Sequence, residues 1–287
     1  MYSAEFDYHR ARSLAEAQQL LAAHPGAKLL AGGHSLIPLM KLRLATPEAV
    51  IDIGRVPELR GLSRSGNVLR IGALTTHAEL AASADLRQRA AALAEAAAVV
   101  GDPAVRNRGT IGGNVAHADP ASDLPTVLVA LGATLVAVGP RGERTIEAAD
   151  FFTGIMTTAL GVDEILAAVL VPASRTGQGS AYVKFAHPAS RYAVVGVAAS
   201  VTVEKGSCTA VQVAVGGLVP NARRATHVER GLAGQAPSDS AIAAAAAEVR
   251  HDLSEVNGDI FASAGYRRAV APVYVKRALL AAVARAS

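Results

Sequence analysis

Hydrophobic and polar positions along this chain switch between a helical period and a period of two, and the switches mark its elements. Helical spacing opens early. The stretch SLAEAQQLLAAH sets Ser13 and Glu16 three apart, as in a capping box, and stops at Pro25-Gly26. The apolar run KLLA (28–31) predicts a short buried strand that runs straight into Gly32-Gly33, and EAVIDI (48–53) predicts a second strand closed by Gly54. A third strand is expected at VLRIGA (68–73). Thr76 and Glu79 set up another capping box, and alanine-rich sequence predicts a helix over 85–100, stopped at Gly101-Asp102-Pro103. Residues 106–123 read as a polar, glycine-rich loop. Apolar sequence returns over 124–138, with a strand at 133–138, and EILAAVLV (164–171) is a further strand ended by Pro172.

After the polar, glycine-bearing stretch SRTGQGS (174–180) the texture changes, which makes that stretch the expected linker. Long strand-like runs occupy 181–185, 192–204 and 208–218, with Lys205-Gly206 as a hairpin turn, and helices over 238–253 and 269–285 finish the chain. The pattern predicts an α/β unit over 1–175, with subdomains of about 1–55 and 56–175, and a smaller α+β unit over 180–287.

Composition narrows the chemistry. The 287 residues are 51% hydrophobic but only 4% aromatic, with no Trp, so the core must be aliphatic. No long uncharged apolar run and no apolar segment at the N-terminus are present, so a soluble cytoplasmic protein with no transmembrane segment is expected. The net charge of +4 is modest, and the basic residues cluster only in pairs such as Arg223-Arg224 and Arg267-Arg268, which gives no indication of a nucleic-acid partner. One cysteine, Cys208, excludes an internal disulfide, a CxxC redox centre and a Cys-ligated iron–sulfur cluster. The 8 histidines are dispersed, so no metal site is expected. No G-x-G-x-x-G follows a strand, and the phosphate-loop, H-E-x-x-H and G-x-S-x-G motifs are absent.

Two segments remain that carry chemistry: Ala31-Gly32-Gly33-His34-Ser35-Leu36 and Thr110-Ile111-Gly112-Gly113-Asn114. Paired glycines reach positive φ and leave no Cβ in the path of a ligand. Successive amides in such a turn can converge on phosphate oxygens, and Ser35, Thr110 and Asn114 add side-chain hydrogen bonds. Each segment also reads as an ordinary tight turn, and the motifs alone do not specify a flavin.

Three blocks carry a resemblance: AGGHSLIPLMKLRLATPE (31–48), RNRGTIGGNVAHADPASDLP (106–125) and YVKFAHPASRYAVVGVA (182–198). In order and separation they resemble the FAD-binding medium subunit of molybdenum hydroxylases, the group of aerobic carbon monoxide dehydrogenase and xanthine dehydrogenase, over essentially the whole chain. The resemblance implies an α+β fold: a two-subdomain FAD-binding fold of the vanillyl-alcohol-oxidase (PCMH) type, followed by a small α+β C-terminal domain. It implies that Ala31, Gly32, Gly33, His34, Ser35 and Leu36, with Thr110, Ile111, Gly112, Gly113 and Asn114, wrap the FAD diphosphate and ribityl chain. Asp123 would bond adenosine or ribityl hydroxyls, or else cap the following helix. Leu166 would lie against the cofactor or serve as plain core. Lys184 would stand as a cation by the flavin and Tyr192 beside its ring, the two residues nearest the reacting atoms; read as residues alone, each is equally a strand position. His34 and His117 either touch phosphate or face solvent, and Asp119 either caps or binds.

The resemblance further implies an electron-transfer subunit of an oxidoreductase. Its partners would be an iron–sulfur small subunit with [2Fe–2S] clusters and a large subunit with the molybdenum cofactor, arranged as a dimer of heterotrimers. The alternatives are a freestanding FAD oxidase or reductase of the same fold and a non-enzymatic binding module. The segment FAHPASRY (185–192) departs from the more basic run of some relatives, so the electron acceptor does not carry over.

Overall fold

The computed structural model describes residues 2–286. In chain order it forms β1 (Asp7–Arg10), α1 (Leu14–Ala23), β2 (Lys28–Leu30), α2 (Leu36–Lys41), β3 (Ala49–Asp52), β4 (Leu62–Ser65), β5 (Val68–Gly72), α3 (His77–Ala82), α4 (Ala84–Arg89), α5 (Ala91–Val99), α6 (Pro103–Arg108), α7 (Ile111–His117) and α8 (Asp123–Ala130). Then come β6 (Thr134–Gly139), β7 (Gly142–Glu147), α9 (Ala148–Phe151), β8 (Phe152–Gly154), β9 (Thr157–Thr158) and β10 (Ile165–Pro172). The remainder forms β11 (Gln178–Ala186), β12 (Ala193–Glu204), β13 (Ser207–Gly216), β14 (Arg223–Arg224), α10 (Thr226–Leu232), α11 (Asp239–Ala247) and α12 (Ala264–Ala286).

Strands β1, β3 and β2 pair in parallel, as the intervening helices require. An antiparallel sheet runs β4-β5-β10-β6-β7, and a second runs β11-β12-β13-β14. The parallel sheet and one face of the first antiparallel sheet share a core that includes Ile51, Leu59, Leu74 and Ile165. Strand β10 is buried on both sides: Ile165 belongs to that core, whereas Leu166, Val169 and Val171 belong to the one beneath α5 and α8.

Period-two alternation gives the last sheet two unequal faces. Val195, Val197, Ala199 and Val201 of β12 join the core built with α10, α11 and α12. The other face is made of small residues, including Gly196, Ala198, Ala214 and Gly216, and α8 packs against it. The approach is close: a Cβ on Gly216 would lie 2.0 Å from Thr126 Oγ1. Tyr182, Ala198 and Ala214 therefore belong to the same core as Leu124 and Leu128 of α8. Glu95 adds a polar tie, accepting from the Tyr182 amide at 2.9 Å and pairing with Arg285.

Several sequence expectations change in the fold. Residues 106–123 are not a loop but hold the end of α6, all of α7 and the start of α8. Asp102 and Thr110 cap α6 and α7, and burial of Ile111 and Val115 outweighs the weak helix propensity of two glycines. The helix expected over 85–100 breaks at Ala90 into α4 and α5. At the break the linker supplies partners, because Ser174 N–H donates to the Arg89 carbonyl and Ser180 Oγ accepts from Ala92 N–H. The box at Ser13 is half formed: Ser13 Oγ accepts from Glu16 N–H, but the Glu16 carboxylate accepts from Arg12. The Thr76 box is complete.

Candidate functional site

Strand β2 ends beside the parallel sheet's centre and hands the chain to the first diglycine turn. Gly33 sits at φ 79, a left-handed conformation that glycine adopts without a Cβ penalty. The Gly33 carbonyl accepts the first helical bond of α2, from Ile37. The amides of Gly32, Gly33, His34, Ser35 and Leu36 have no protein partner among the described residues. Five consecutive N–H groups without protein acceptors form a concavity suited to anionic oxygens.

The second diglycine turn is different. Gly112 and Gly113 lie in the first turn of α7, and neither has positive φ. Its amides are spent inside the protein: Ile111 on Thr75 O, Gly112 on Ala73 O, Gly113 on Thr110 Oγ1 and Asn114 on Thr110 O. Its contribution is therefore close approach rather than bare amides. A Cβ on Gly112 would meet Ala73 Cβ at 2.5 Å, and one on Gly113 would meet Thr110 Oγ1 at 2.9 Å and Ala31 Cβ at 3.7 Å. The two turns touch, since a Cβ on Gly32 would lie 2.1 Å from the carbonyl oxygen of Arg108.

Between the turns runs a cleft of about 690 Å³, within the span of small-molecule and cofactor sites. Ala31, Gly32, Gly33, His34, Ser35, Leu36, Thr110, Gly112, Gly113, Asn114, Asp123, Leu166 and Tyr192 line it. Ile111 and Lys184 do not: Ile111 is core, and Lys184 stands behind Asp123. His117 lines the cleft at the end of α7, whereas Asp119 caps a turn by accepting from Ala121 N–H.

Asp123 is buried at the start of α8. Its Oδ1 accepts from the Tyr182 hydroxyl at 2.6 Å and its Oδ2 from Lys184 Nζ at 3.0 Å. Burial pushes the carboxyl's pKa up, and Lys184 and Tyr182 pull against that shift. Burial and the neighbouring carboxylate also push the Tyr182 phenol well above its ordinary range. Removing one partner of such a pair leaves an uncompensated buried charge, a cost of about 3–5 kcal/mol. Ser122 donates to Asn114 Oδ1 at 2.6 Å and so fixes the Asn114 amide, whose nitrogen has no partner among the described residues. Tyr192 is 45% exposed at the cleft edge, and burial of its ring, with Asp119 and Asp123 nearby, raises its phenol pKa.

Two participants escaped the sequence. Tyr182 was legible by period, because it lies two residues before Lys184 and shares its face of β11. His77, at the first position of α3, carried no local signal; it lines the cleft and packs against Gly109. Burial, with His34 and Arg106 adding positive charge, lowers its pKa to about 4, so the ring is neutral. Its buried Nδ1 has no partner among the described residues.

Residues 4–174 match the family model of the FAD binding domain in molybdopterin dehydrogenase, and residues 180–282 match that of the CO dehydrogenase flavoprotein C-terminal domain. The chain belongs to the FAD-binding medium-subunit family of the molybdenum hydroxylases. It is similar to the carbon monoxide dehydrogenase medium chain of Hydrogenophaga pseudoflava, at 41% identity over 99% of both chains. A chain of the solved carbon monoxide dehydrogenase from that organism matches with a TM-score of 0.95, 42% identity and 99% coverage of each chain. The quinoline 2-oxidoreductase of Pseudomonas putida 86 matches at 0.94 and 33% identity, over 100% of this chain and 99% of that one. The nicotine 6-hydroxylase medium subunit of Paenarthrobacter nicotinovorans is 36% identical over 97% of each. These relatives are oxidoreductases or their subunits, and the α+β class with an FAD-binding domain followed by a C-terminal domain agrees with the sequence expectation. The medium-subunit family's cofactor is FAD, and the cleft fits it on one structural ground: a row of unpartnered amides lies in the same cleft that Gly112 and Gly113 line.

Proposed function

We propose that this chain is the electron-exit subunit of a molybdenum hydroxylase, holding FAD in the cleft between its two diglycine turns. The observation that carries the reading is the row of five amides, Gly32 to Leu36, without protein acceptors among the described residues and in one cleft with the helical glycines of α7. The diphosphate would take those amides, and the glycine wall would admit it without a clash. Asp123 and the Asn114 amide nitrogen would meet cofactor hydroxyls, and Leu166 and Tyr192 would flank the ring system. FAD, when bound, supplies the ability to take up electrons singly and release them singly or in pairs.

The electrons would come from [2Fe–2S] clusters in a small partner subunit. With one cysteine, this chain cannot ligate such a cluster itself. A large partner with the molybdenum cofactor would oxidise the substrate, the whole forming a dimer of heterotrimers in the cytoplasm. Among the described residues, no helix is long and apolar enough to cross a membrane. Relatives named for carbon monoxide, nicotine and quinoline share this chain's architecture, which supports leaving substrate choice to the large partner.

The test is the visible spectrum of the purified chain, alone and co-expressed with small and large subunits. Stoichiometric flavin bands on the chain alone, joined by iron–sulfur bands in the complex, are expected. A chain that stays colourless after soaking in FAD overturns the reading.

A further inference from the structure

Lys184 lies on β11 opposite Gly196, and its side chain is 6% exposed. An ammonium group has three protons, and each has an acceptor: the Val99 carbonyl at 2.9 Å, Asp123 Oδ2 at 3.0 Å and the Arg191 carbonyl at 2.7 Å. Two of these acceptors belong to the N-terminal domain, at the ends of α5 and α8. The third belongs to the turn that carries Tyr192. No proton is left for a ligand in the cleft, and the Asp123 charge offsets that of Lys184.

The turn needs holding. Arg191 sits at φ 61, a left-handed conformation that L side chains rarely adopt. The ladder between β11 and β12 is irregular at Phe185/Ala186, immediately before it. Within the turn Arg191 N–H donates to His187 O, and His187 N–H donates to Tyr192 O. The Tyr192 hydroxyl has no partner among the described residues, so no hydrogen bond of its own fixes the ring, and the backbone from which it leaves governs its place.

The geometry points to Lys184 as a positioning residue: its ammonium group latches the left-handed Arg191 carbonyl onto Asp123 and Val99, and thereby sets the Tyr192 ring at the edge of the cleft. Lys184 thus acts on a bound ring through Tyr192 rather than by its own charge. The consequence for the cofactor rests on the FAD reading above; the latch itself does not.

Two measurements on the full chain separate these. Hydrogen exchange of the peptide over residues 186–193, without FAD, reads the latch directly. Lys184→Met is expected to raise its exchange at least tenfold. Asp123→Asn, which keeps an oxygen able to accept from Nζ and does not touch the carbonyls of Arg191 and Val99, should change it less. Equal protection in wild type and Lys184→Met overturns the latch. With FAD bound and its stoichiometry confirmed by absorbance, flavin fluorescence reads Tyr192, because a phenol held against the ring would quench it. Lys184→Met should brighten the flavin towards the level of Tyr192→Ala, and the double variant should be no brighter than Tyr192→Ala alone. Additive brightening overturns the positioning role. A chain that takes up no FAD overturns the cofactor reading, and exchange alone then decides the latch. Should Lys184→Met fail to fold, Lys184→Met with Asp123→Asn, which removes both buried charges, takes its place in each measurement.

Discussion

Gly32→Ala puts the cleft's geometry to a direct test. The new methyl group would stand 2.1 Å from the Arg108 carbonyl oxygen, 2.8 Å from its carbon and 3.0 Å from Gly109 Cα. Every one of these atoms is backbone, so no side chain can swing aside. Ordinary contact begins at about 3.4 Å, and the two turns must therefore part by about 1.3 Å. Overpacking of this kind costs about 1–3 kcal/mol. If the cost falls on the closed cleft, FAD affinity drops by about 5- to 150-fold. The control is Gly66→Ala, which unlike Gly32 sits at positive φ, 57, and has nothing within 4 Å of the new Cβ. It carries backbone strain without any close approach, so it should lower the melting temperature slightly and leave FAD binding alone. The assay titrates the apo chain with FAD by flavin fluorescence and melts each apo variant. A Gly32→Ala chain that binds FAD as tightly as wild type would refute the reasoning, because the contact between the turns would then not set the cleft's width.

Gly113→Val is expected to abolish FAD uptake for a reason of space rather than backbone strain: the residue is helical, and the branched side chain would enter the 3.7 Å gap to Ala31 while displacing Thr110 Oγ1. Loss of the cap alone costs about 1 kcal/mol, so the variant should still fold, and full flavin content would sink this prediction. His77 should make stability fall with acid. Its folded pKa of about 4 lies below the ordinary 6.5, so the unfolded chain binds the proton first and stability declines as pH drops from about 6.5 to about 4. The full effect is on the order of 3 kcal/mol. In His77→Gln that part of the slope should vanish, and parallel melting curves against pH for both proteins would count against it.

Much of this molecule is written locally. The capping residues at Ser13 and Thr76, the strand runs before Gly32 and after Ala193, and the single cysteine are properties of short stretches, and a short stretch is enough to read them. So are the two diglycine segments and the family blocks around them, which lead to the cofactor without any coordinates. What each glycine pair does could not be read in the same way. The first pair ends in a left-handed turn with bare amides, while the second is wound into α7, because Thr75 and Ala73 supply acceptors that only folding brings within reach. The break at Ala90 follows the same logic, since its partners are atoms of the linker more than eighty residues away along the chain. Lys184 is the sharpest case. Sequence offers a cation on a strand, whose direction depends on which face of the sheet is covered. Packing of α8 against that face turned it inward, onto Asp123 and the Arg191 carbonyl, because a buried ammonium group must find three acceptors and those were the ones within reach.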